Sequence, residues 1–233
     1  MMEPNNNCTD CIFCNEKIPF FNLLSDRELE LINDDRYSVR FKSDELILKQ
    51  GITATHLITL IEGVAKIYIE GVNNKNLLYQ LIGDWQLVED PGLHTDDKKY
   101  HFSVAALTDV KVCFINAQNF LKVLQKNNLF ANEVIKHRSQ NTVYFFNRVI
   151  SLTQKQMVGR MADGLLYLSN DFYKSFDFDL NLSRQDLADL TAMSKDSAIR
   201  ILKEFERDQI ISLKGRKIKI INMGQLKQLS IHG

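Results

Sequence analysis

The chain has 233 residues, of which 45% are hydrophobic and 25% charged, the ordinary balance of a globular protein with one large or two modest domains. No apolar run approaches the roughly 20 residues of a membrane-spanning helix, and the N-terminus lacks the pattern of a secretory signal, so we expect a cytoplasmic protein with no membrane partner. The formal net charge is zero, but residues 153–233 hold 13 Lys and Arg against 10 Asp and Glu, a mild excess that permits DNA binding.

The N-terminal segment, residues 1–19, is polar and Asn-rich, which is typical of an arm outside the core. It carries three of the four cysteines, Cys8, Cys11 and Cys14. Cytosolic proteins seldom use such a group for structural disulfides, so its close spacing indicates metal or redox chemistry. Residues 20–35 have the pattern of a helix, with Ser25 and Glu28 at the spacing of a capping box.

Short strand-like segments separated by glycine turns fill residues 37–116. The predicted strands are 45–49, 57–61, 65–69, 76–82, 102–107 and 111–115. Regularly spaced short strands of this kind predict a barrel or jelly roll. Residues 87–99 contain Pro-Gly and the polar sequence HTDDKK, which predict an exposed loop.

Helix is predicted from residue 117 to residue 168, with a long central segment that is unusually apolar. Its large apolar residues are Val134, Ile135, Val143, Phe145, Phe146, Val149 and Ile150. Such a wide stripe favours a partner helix and hence a homodimer, whereas packing on the chain's own barrel is the alternative. Residues 153–169 are predicted to form a further helix.

The strongest local pattern is a helix-turn-helix over residues 182–208. Ser183 and Asp186 form a capping box, and Ser194 can cap the second helix after a short turn. The predicted inward face consists of Ala198, Ile201, Leu202 and Phe205. The basic segment after it, with Lys214-Gly215 between two β-rich runs, predicts a hairpin wing. A solvated helix pair that binds a protein is the alternative.

The candidate DNA-contacting residues surround the start and outer side of the second helix and the wing. They are Arg184, Lys195, Asp196, Ser197, Ile199, Arg200, Lys203, Arg216 and Lys217. A recognition helix presents its N-terminal residues to base edges in the major groove. Arg200 can bond guanine O6 and N7, and Asp196 can accept from a cytosine amino group. Arg216 or Lys217 in the wing can contact phosphate.

The chain resembles the Crp/Fnr family of bacterial transcription regulators in FKSDELILKQG, HLITLIEGVAKIYIEG, SVAALTDVKVCFI, TQKQMVGRMADGLLYLS and LSRQDLADLTAMSKDSAIRILKEFERDQIISLKGRKIKII. The resemblance implies an α+β fold with an N-terminal cyclic-nucleotide-binding-like β-roll (jelly roll), a long dimerisation helix and a C-terminal winged helix-turn-helix. The corresponding domains are a cysteine-bearing arm, 1–19, a sensor roll, 20–124, the dimerisation helix, 125–152, and the DNA-binding domain, 153–233.

The same resemblance implies partners and reading positions. The family's base-reading residues match Lys195, Asp196 and Arg200, with Asp in place of the more usual Glu. A homodimer is then expected to bind double-stranded DNA at a near-palindrome with half-sites about 34 Å apart, with RNA polymerase as a further partner. We expect no enzyme activity; a thiol oxidoreductase using CTDC or CIFC would need a βαβ context that is missing from the predicted order of elements.

The sequence leaves several hypotheses for the ligand or signal to which the roll responds. Family members that bind cyclic nucleotides use Gly-Glu and Arg-Ser pairs, whereas the corresponding places here read Gly83-Asp84-Trp85 and Tyr100-His101. No arginine occurs between Arg40 and Arg138, so a phosphate would lack its main charge partner. A regulator controlled by a small-molecule effector unlike cAMP, bound in the roll without a metal, is the alternative hypothesis.

The cysteines provide the leading hypothesis, a redox- or gas-responsive regulator. Oxygen-sensing members of the family hold a [4Fe–4S] cluster with N-terminal cysteines and one cysteine on a roll strand. Cys113 matches that strand position, and Cys8, Cys11 and Cys14 can supply the other ligands, although C-x2-C-x2-C is tighter than the oxygen sensor's spacing. Four thiolates suit such a cluster or a tetrahedral zinc. The alternatives are an arm of reactive thiols with Cys113 in the core, or haem, for which no histidine shows a ligation pattern.

Overall fold

The computed structural model describes residues 18–88 and 90–233, all but the side chain of Asn74. The first described elements are a 3-10 turn, Pro19–Leu23, and helix α1, Asp26–Asn33. The prediction of one helix over residues 20–35 was wrong because Leu24 and Ser25 have extended backbone between the two elements. The predicted capping box of Ser25 and Glu28 is confirmed at the start of α1.

Eight strands build a roll from two four-stranded antiparallel sheets. The strands are β1 Tyr37–Phe41, β2 Leu46–Leu48, β3 His56–Glu62, β4 Ala65–Glu70, β5 Asn76–Ile82, β6 Gln86–Val88, β7 Ser103–Ala106 and β8 Val110–Asn116. The sheet orders are β1-β8-β3-β6 and β2-β7-β4-β5. Apolar residues from both sheets, such as Leu60, Val112 and Val104, are fully buried in one core, which confirms the predicted jelly roll.

The segment 87–99 is not the exposed loop that the sequence predicted. Strand β6 occupies its start and pairs with β3, and Leu87, Val88 and Leu93 are buried. Asp90 is also buried, where its carboxylate accepts hydrogen bonds from the backbone N–H groups of Gly92 and His101. Pro, Gly and charged residues suggested solvent exposure, but the buried aspartate satisfies the turn's own donors, so only its polar tip is exposed.

Three helices follow the roll: α2, Ala117–Lys126, α3, Asn128–Gln154, and α4, Met157–Leu166. A π-helical turn, Tyr167–Phe172, continues α4. The predicted helix over 153–169 therefore begins too early, because α3 runs to Gln154 and Lys155 is extended. Among the described residues, no helix combines the length and the apolar character that crossing a membrane requires.

The last part of the chain forms a second core around a helix pair and a small sheet. Its elements are β9 Asp177–Asp179, α5 Arg184–Leu190, α6 Lys195–Arg207, β10 Ile211–Lys214, β11 Lys217–Ile220 and α7 Met223–His232. The sheet order β10-β11-β9 adds a third strand to the predicted wing. The sequence prediction missed β9 and α7. The structure confirms the predicted helix pair and the predicted hairpin.

Candidate DNA-binding and sensor sites

Local side-chain contacts define the ends of α5 and the start of α6. Ser183 and Asp186 form the predicted capping box at the start of α5, and the buried Thr191 donates its hydroxyl to the Leu187 carbonyl at the other end. The Ser194 Oγ accepts from the backbone N–H of Ser197, so the predicted cap of α6 is confirmed. The predicted inward residues, Ala198, Ile201, Leu202 and Phe205, are all buried.

The outer face of α6 presents most of the sequence-predicted DNA-reading residues together. Lys195, Asp196, Arg200 and Lys203 are exposed, and Ser197 and Ile199 are half-buried. A shallow groove on this face is lined by Asp196, Ile199, Arg200, Lys203, Glu204 and Arg207. The sequence analysis missed Glu204, whose Oε1 lies 2.7 Å from Arg200 Nη1. The i,i+4 spacing of this pair was a readable signal for it.

The cations of the wing and of α5 have partners within their own domain. Arg184 Nη2 donates to the Gly215 carbonyl at 3.2 Å, which ties the start of α5 to the tip of the wing. Arg216 Nε donates to the Leu180 carbonyl, and Lys217 Nζ lies 3.0 Å from Asp177 Oδ1. The Arg184 contact thus joins the wing to α5, whereas the contacts of Arg216 and Lys217 join the wing to β9 and to the residue that follows it.

Helix α3 has a stripe of exposed apolar residues. Its exposed large apolar residues are Leu129, Ile135, Val143, Phe145, Phe146, Val149 and Ile150, which are 40–67% exposed. The roll side of the same helix buries Phe130 and Val134. The alternative, that the helix packs on its own barrel, does not account for these exposed residues, although Phe145 lies 6.3 Å from Tyr79 of the roll between ring centroids.

The part of the roll that matches the nucleotide-gripping loop is occupied by internal hydrogen bonds. Asp84 Oδ1 accepts from the backbone N–H of Gly63 at 2.7 Å. The Tyr100 hydroxyl donates to the carbonyl of His56 and accepts from its N–H, and burial raises the pKa of Tyr100. The side chains that stand where the family grips a nucleotide thus brace the roll.

Cys113 lies on β8 and is 4% exposed. The guanidinium of Arg36, in the connection between α1 and β1, donates from Nη1 to the Cys113 sulfur at 3.2 Å. Cys8, Cys11 and Cys14 lie outside the described residues, within which no group of three His, Cys, Asp or Glu side chains is placed to hold a metal. A buried sulfur that receives a charged donor has surroundings that suit a metal-bound thiolate.

Comparison with known proteins matches both halves of the chain. Residues 38–127 match the model of the cyclic nucleotide-binding domain, and residues 159–229 match the model of the Crp-like helix-turn-helix domain. The chain belongs to the Crp/Fnr family. It is accordingly a DNA-binding transcription regulator, and its family consists of regulators rather than enzymes.

Relatives of this Crp/Fnr regulator cover most of its length. The anaerobic regulatory protein of Bacillus subtilis (strain 168) is 24% identical over 206 residues, which are 82% of this chain and 87% of the relative. The fumarate and nitrate reduction regulatory protein of Vibrio cholerae is 25% identical over 232 residues, 96% of this chain and 90% of the relative. The solved structure of FixK2 from Bradyrhizobium japonicum has the same fold, with a TM-score of 0.74 at 16% identity over 83% of this chain and 96% of that chain.

The Crp/Fnr regulator also joins its two cores through polar contacts that the sequence did not predict. Lys66 on β4 forms an ion pair with Asp186 in the first turn of α5, where the carboxylate is 11% exposed. Burial raises the pKa of Asp186, but hydrogen bonds from Lys66 and Ser183 outweigh burial and hold the pKa below its ordinary value. The ion pair therefore favours the charged form of Asp186 at the contact between roll and helix pair.

A second contact between the cores is made by Arg148 of α3. Its Nη2 donates both to the Leu78 carbonyl of β5 and to the Leu190 carbonyl at the end of α5. Nearby, the Tyr167 hydroxyl accepts from the backbone N–H of Leu81, and burial raises the pKa of Tyr167 to about 12. Helix α5, which precedes the recognition helix, is thus held by both the roll and α3.

Proposed function

We propose that this Crp/Fnr regulator reads DNA with the start of α6 and responds to oxygen or another oxidant through a [4Fe–4S] cluster. Its proposed ligands are Cys8, Cys11, Cys14 and Cys113. The observation that carries the proposal is the donor set: four thiolates match what a cubane cluster takes. The names of two relatives, an anaerobic regulatory protein and a fumarate and nitrate reduction regulatory protein, point to the same class of signal.

The surroundings of Cys113 support a metal-bound sulfur at this position. The residue is buried, so a charged thiolate there needs a compensating donor, and the guanidinium of Arg36 provides one. When bound, an iron–sulfur cluster supplies chemistry that oxygen degrades, which makes occupancy of the site depend on oxygen. The chain's part in this is to hold the ligands and to limit access of water.

The DNA-reading part of the proposal rests on the exposed face of α6. In this proposal Arg200 bonds guanine, Asp196 accepts from a cytosine amino group and Ile199 contacts a thymine methyl group. The exposure of Arg200 and Asp196 supports these roles. Lys195, Ser197 and Lys203 complete this face. Arg184, Arg216 and Lys217, which also make contacts within the domain, are the proposed phosphate-binding residues. The apolar stripe of α3 is the proposed dimer interface, which would place two recognition helices on one near-palindrome.

Composition of the purified protein tests the sensor proposal. Protein prepared without oxygen should be brown and contain about four iron and four sulfide per chain, and it should bleach in air. Cys113→Ser should abolish the cluster while leaving the fold intact by circular dichroism. Zinc without iron, or a colourless metal-free protein whose DNA affinity ignores oxygen, would contradict the proposal and direct attention to an effector bound in the roll.

A further inference from the structure

The polar groups around the Cys113 sulfur exceed what a buried cysteine thiol requires. A thiol is a weak hydrogen-bonding group that packs as a small apolar side chain. Here a guanidinium, which stays charged at any physiological pH, lies with Nη1 3.2 Å from the sulfur. A thiolate ligand, which carries negative charge, gains more from such a charged donor than a neutral thiol does.

A second observation comes from the neighbouring strand. Thr59 on β3 pairs directly with Cys113 on β8, so both side chains lie on the same face with their Cβ atoms about 4.5–5.5 Å apart. Thr59 is 4% exposed, and its Oγ1 has no hydrogen-bond partner within the part of the chain that the structure describes. A buried hydroxyl without a partner destabilises the fold, so its presence beside the sulfur requires a reason.

We propose that Arg36 and Thr59 are positioning residues for Cys113 as an iron ligand, donating hydrogen bonds to its metal-bound sulfur and thereby setting how fast oxygen destroys the cluster. The inference rests on the proposed cluster. Hydrogen bonds to the sulfurs and nearby charge set the reduction potential of an iron–sulfur cluster, and groups behind the ligands govern how firmly the metal is held. Removing a cation beside the thiolate leaves the cluster more electron-rich, so it becomes easier to oxidise.

The test compares Arg36→Ala, Arg36→Lys and Thr59→Val with the wild type and with Arg40→Ala as a matched control. Arg40 is a surface cation on β1, and its Nη1 lies 3.8 Å from Glu62, so its removal changes net charge equally without touching Cys113. Thr59→Val keeps the shape of the side chain and removes only the hydroxyl. The readouts are iron and sulfide content, the rate of bleaching after a fixed dose of oxygen, and the reduction potential of the cluster.

Arg36→Ala is expected to bind a cluster that bleaches about 10-fold faster than the wild type, with a more negative reduction potential. Arg36→Lys should recover part of the difference because it retains the charge, and Thr59→Val should shift both readouts less in the same direction. Arg40→Ala should match the wild type. Circular dichroism of the metal-free variants separates these effects from misfolding, and Thr59→Val remains informative where Arg36→Ala fails to fold.

The outcomes separate this inference from the proposal on which it rests. A wild-type protein without iron overturns both. A wild-type protein with a cluster, together with Arg36→Ala and Thr59→Val that bleach at the wild-type rate, overturns only the roles of Arg36 and Thr59. Equal acceleration in Arg36→Ala and Arg40→Ala also overturns them, since it would show a general effect of net charge.

Discussion

Removing Arg200 tests the DNA-reading face of α6 most directly. The side chain is 57% exposed and is paired with Glu204 across one turn of the helix. A bidentate Arg–guanine contact is worth about 1–3 kcal/mol of discrimination between bases, whereas an exposed i,i+4 pair is worth about 0.3–0.5 kcal/mol. The guanine contact is thus stronger than the ion pair with Glu204 that it replaces. Arg200→Ala should lose about 0.5–2.5 kcal/mol of binding free energy for the specific site, which lowers the ratio of specific to random affinity about 2- to 70-fold.

The assay is fluorescence anisotropy with two labelled duplexes of equal length, one selected by the protein from a random pool and one of random sequence. Salt must be held constant because phosphate contacts make both affinities salt-dependent. Arg207→Ala is the control: it removes an equally charged, exposed side chain from the last turn of the same helix, where Asp208 is its partner. It should lower both affinities alike. An unchanged ratio in Arg200→Ala, with the dimer intact, would refute the base-reading role of Arg200.

Three further predictions concern the assembly and the fold. Phe146→Glu places a charge in the apolar stripe of α3 and should yield monomers in sedimentation experiments. The control Gln140→Glu, about 120° away around the helix, should stay dimeric. A dimeric Phe146→Glu variant would mean that the interface lies elsewhere. The lowered pKa of Asp186 gives stability that is fully present above the unfolded-state pKa of about 3.9 and is lost as the pH falls from there through the lower folded-state pKa. Asp186→Asn should therefore lower the melting temperature at pH 7 and make the melting temperature fall less steeply in acid. A melting temperature that falls as steeply in the variant as in the wild type would contradict this. Gly63→Ala forces a Cβ to 2.5 Å from the Asp109 carbonyl oxygen at a φ of +96°, whereas Gly215→Ala meets open space at a φ of +62°. Gly215→Ala should lower the free energy of unfolding by about 1–2 kcal/mol, and Gly63→Ala should lower it by more. Thermal melts that rank the two variants in the reverse order would contradict the argument.

The sequence predicted the helix-turn-helix well because its signals are local. Ser183 with Asp186, and Ser194 at the next cap, lie within a few residues of the groups they bind, so spacing alone identifies them. Strand β9 was missed for the opposite reason: its three residues gain their pairing from β11, some 40 residues later. Its alternation of Asp and Phe is too short to distinguish from a polar connection.

The buried turn after β6 and the contacts between the cores depended on long-range packing. Asp90 reads as a loop residue in sequence, and only the folded roll shows that its carboxylate satisfies backbone donors. Lys66 and Asp186 are 120 residues apart, and each has the pattern of an ordinary surface charge. No local periodicity reports that pairing, so a single sequence could not reveal how the roll holds α5.

Chain order and hydrogen bonding together connect the roll to the helix pair of α5 and α6. Strand β8, which carries Cys113, leads directly into α2 and α3, and α3 carries both the apolar stripe and Arg148. Because one guanidinium binds the carbonyls of Leu78 in the roll and Leu190 in α5, α3 cannot shift against either domain without breaking one of those bonds. The bonds of Arg148 therefore tie α5, the helix that precedes α6, to both the roll and α3.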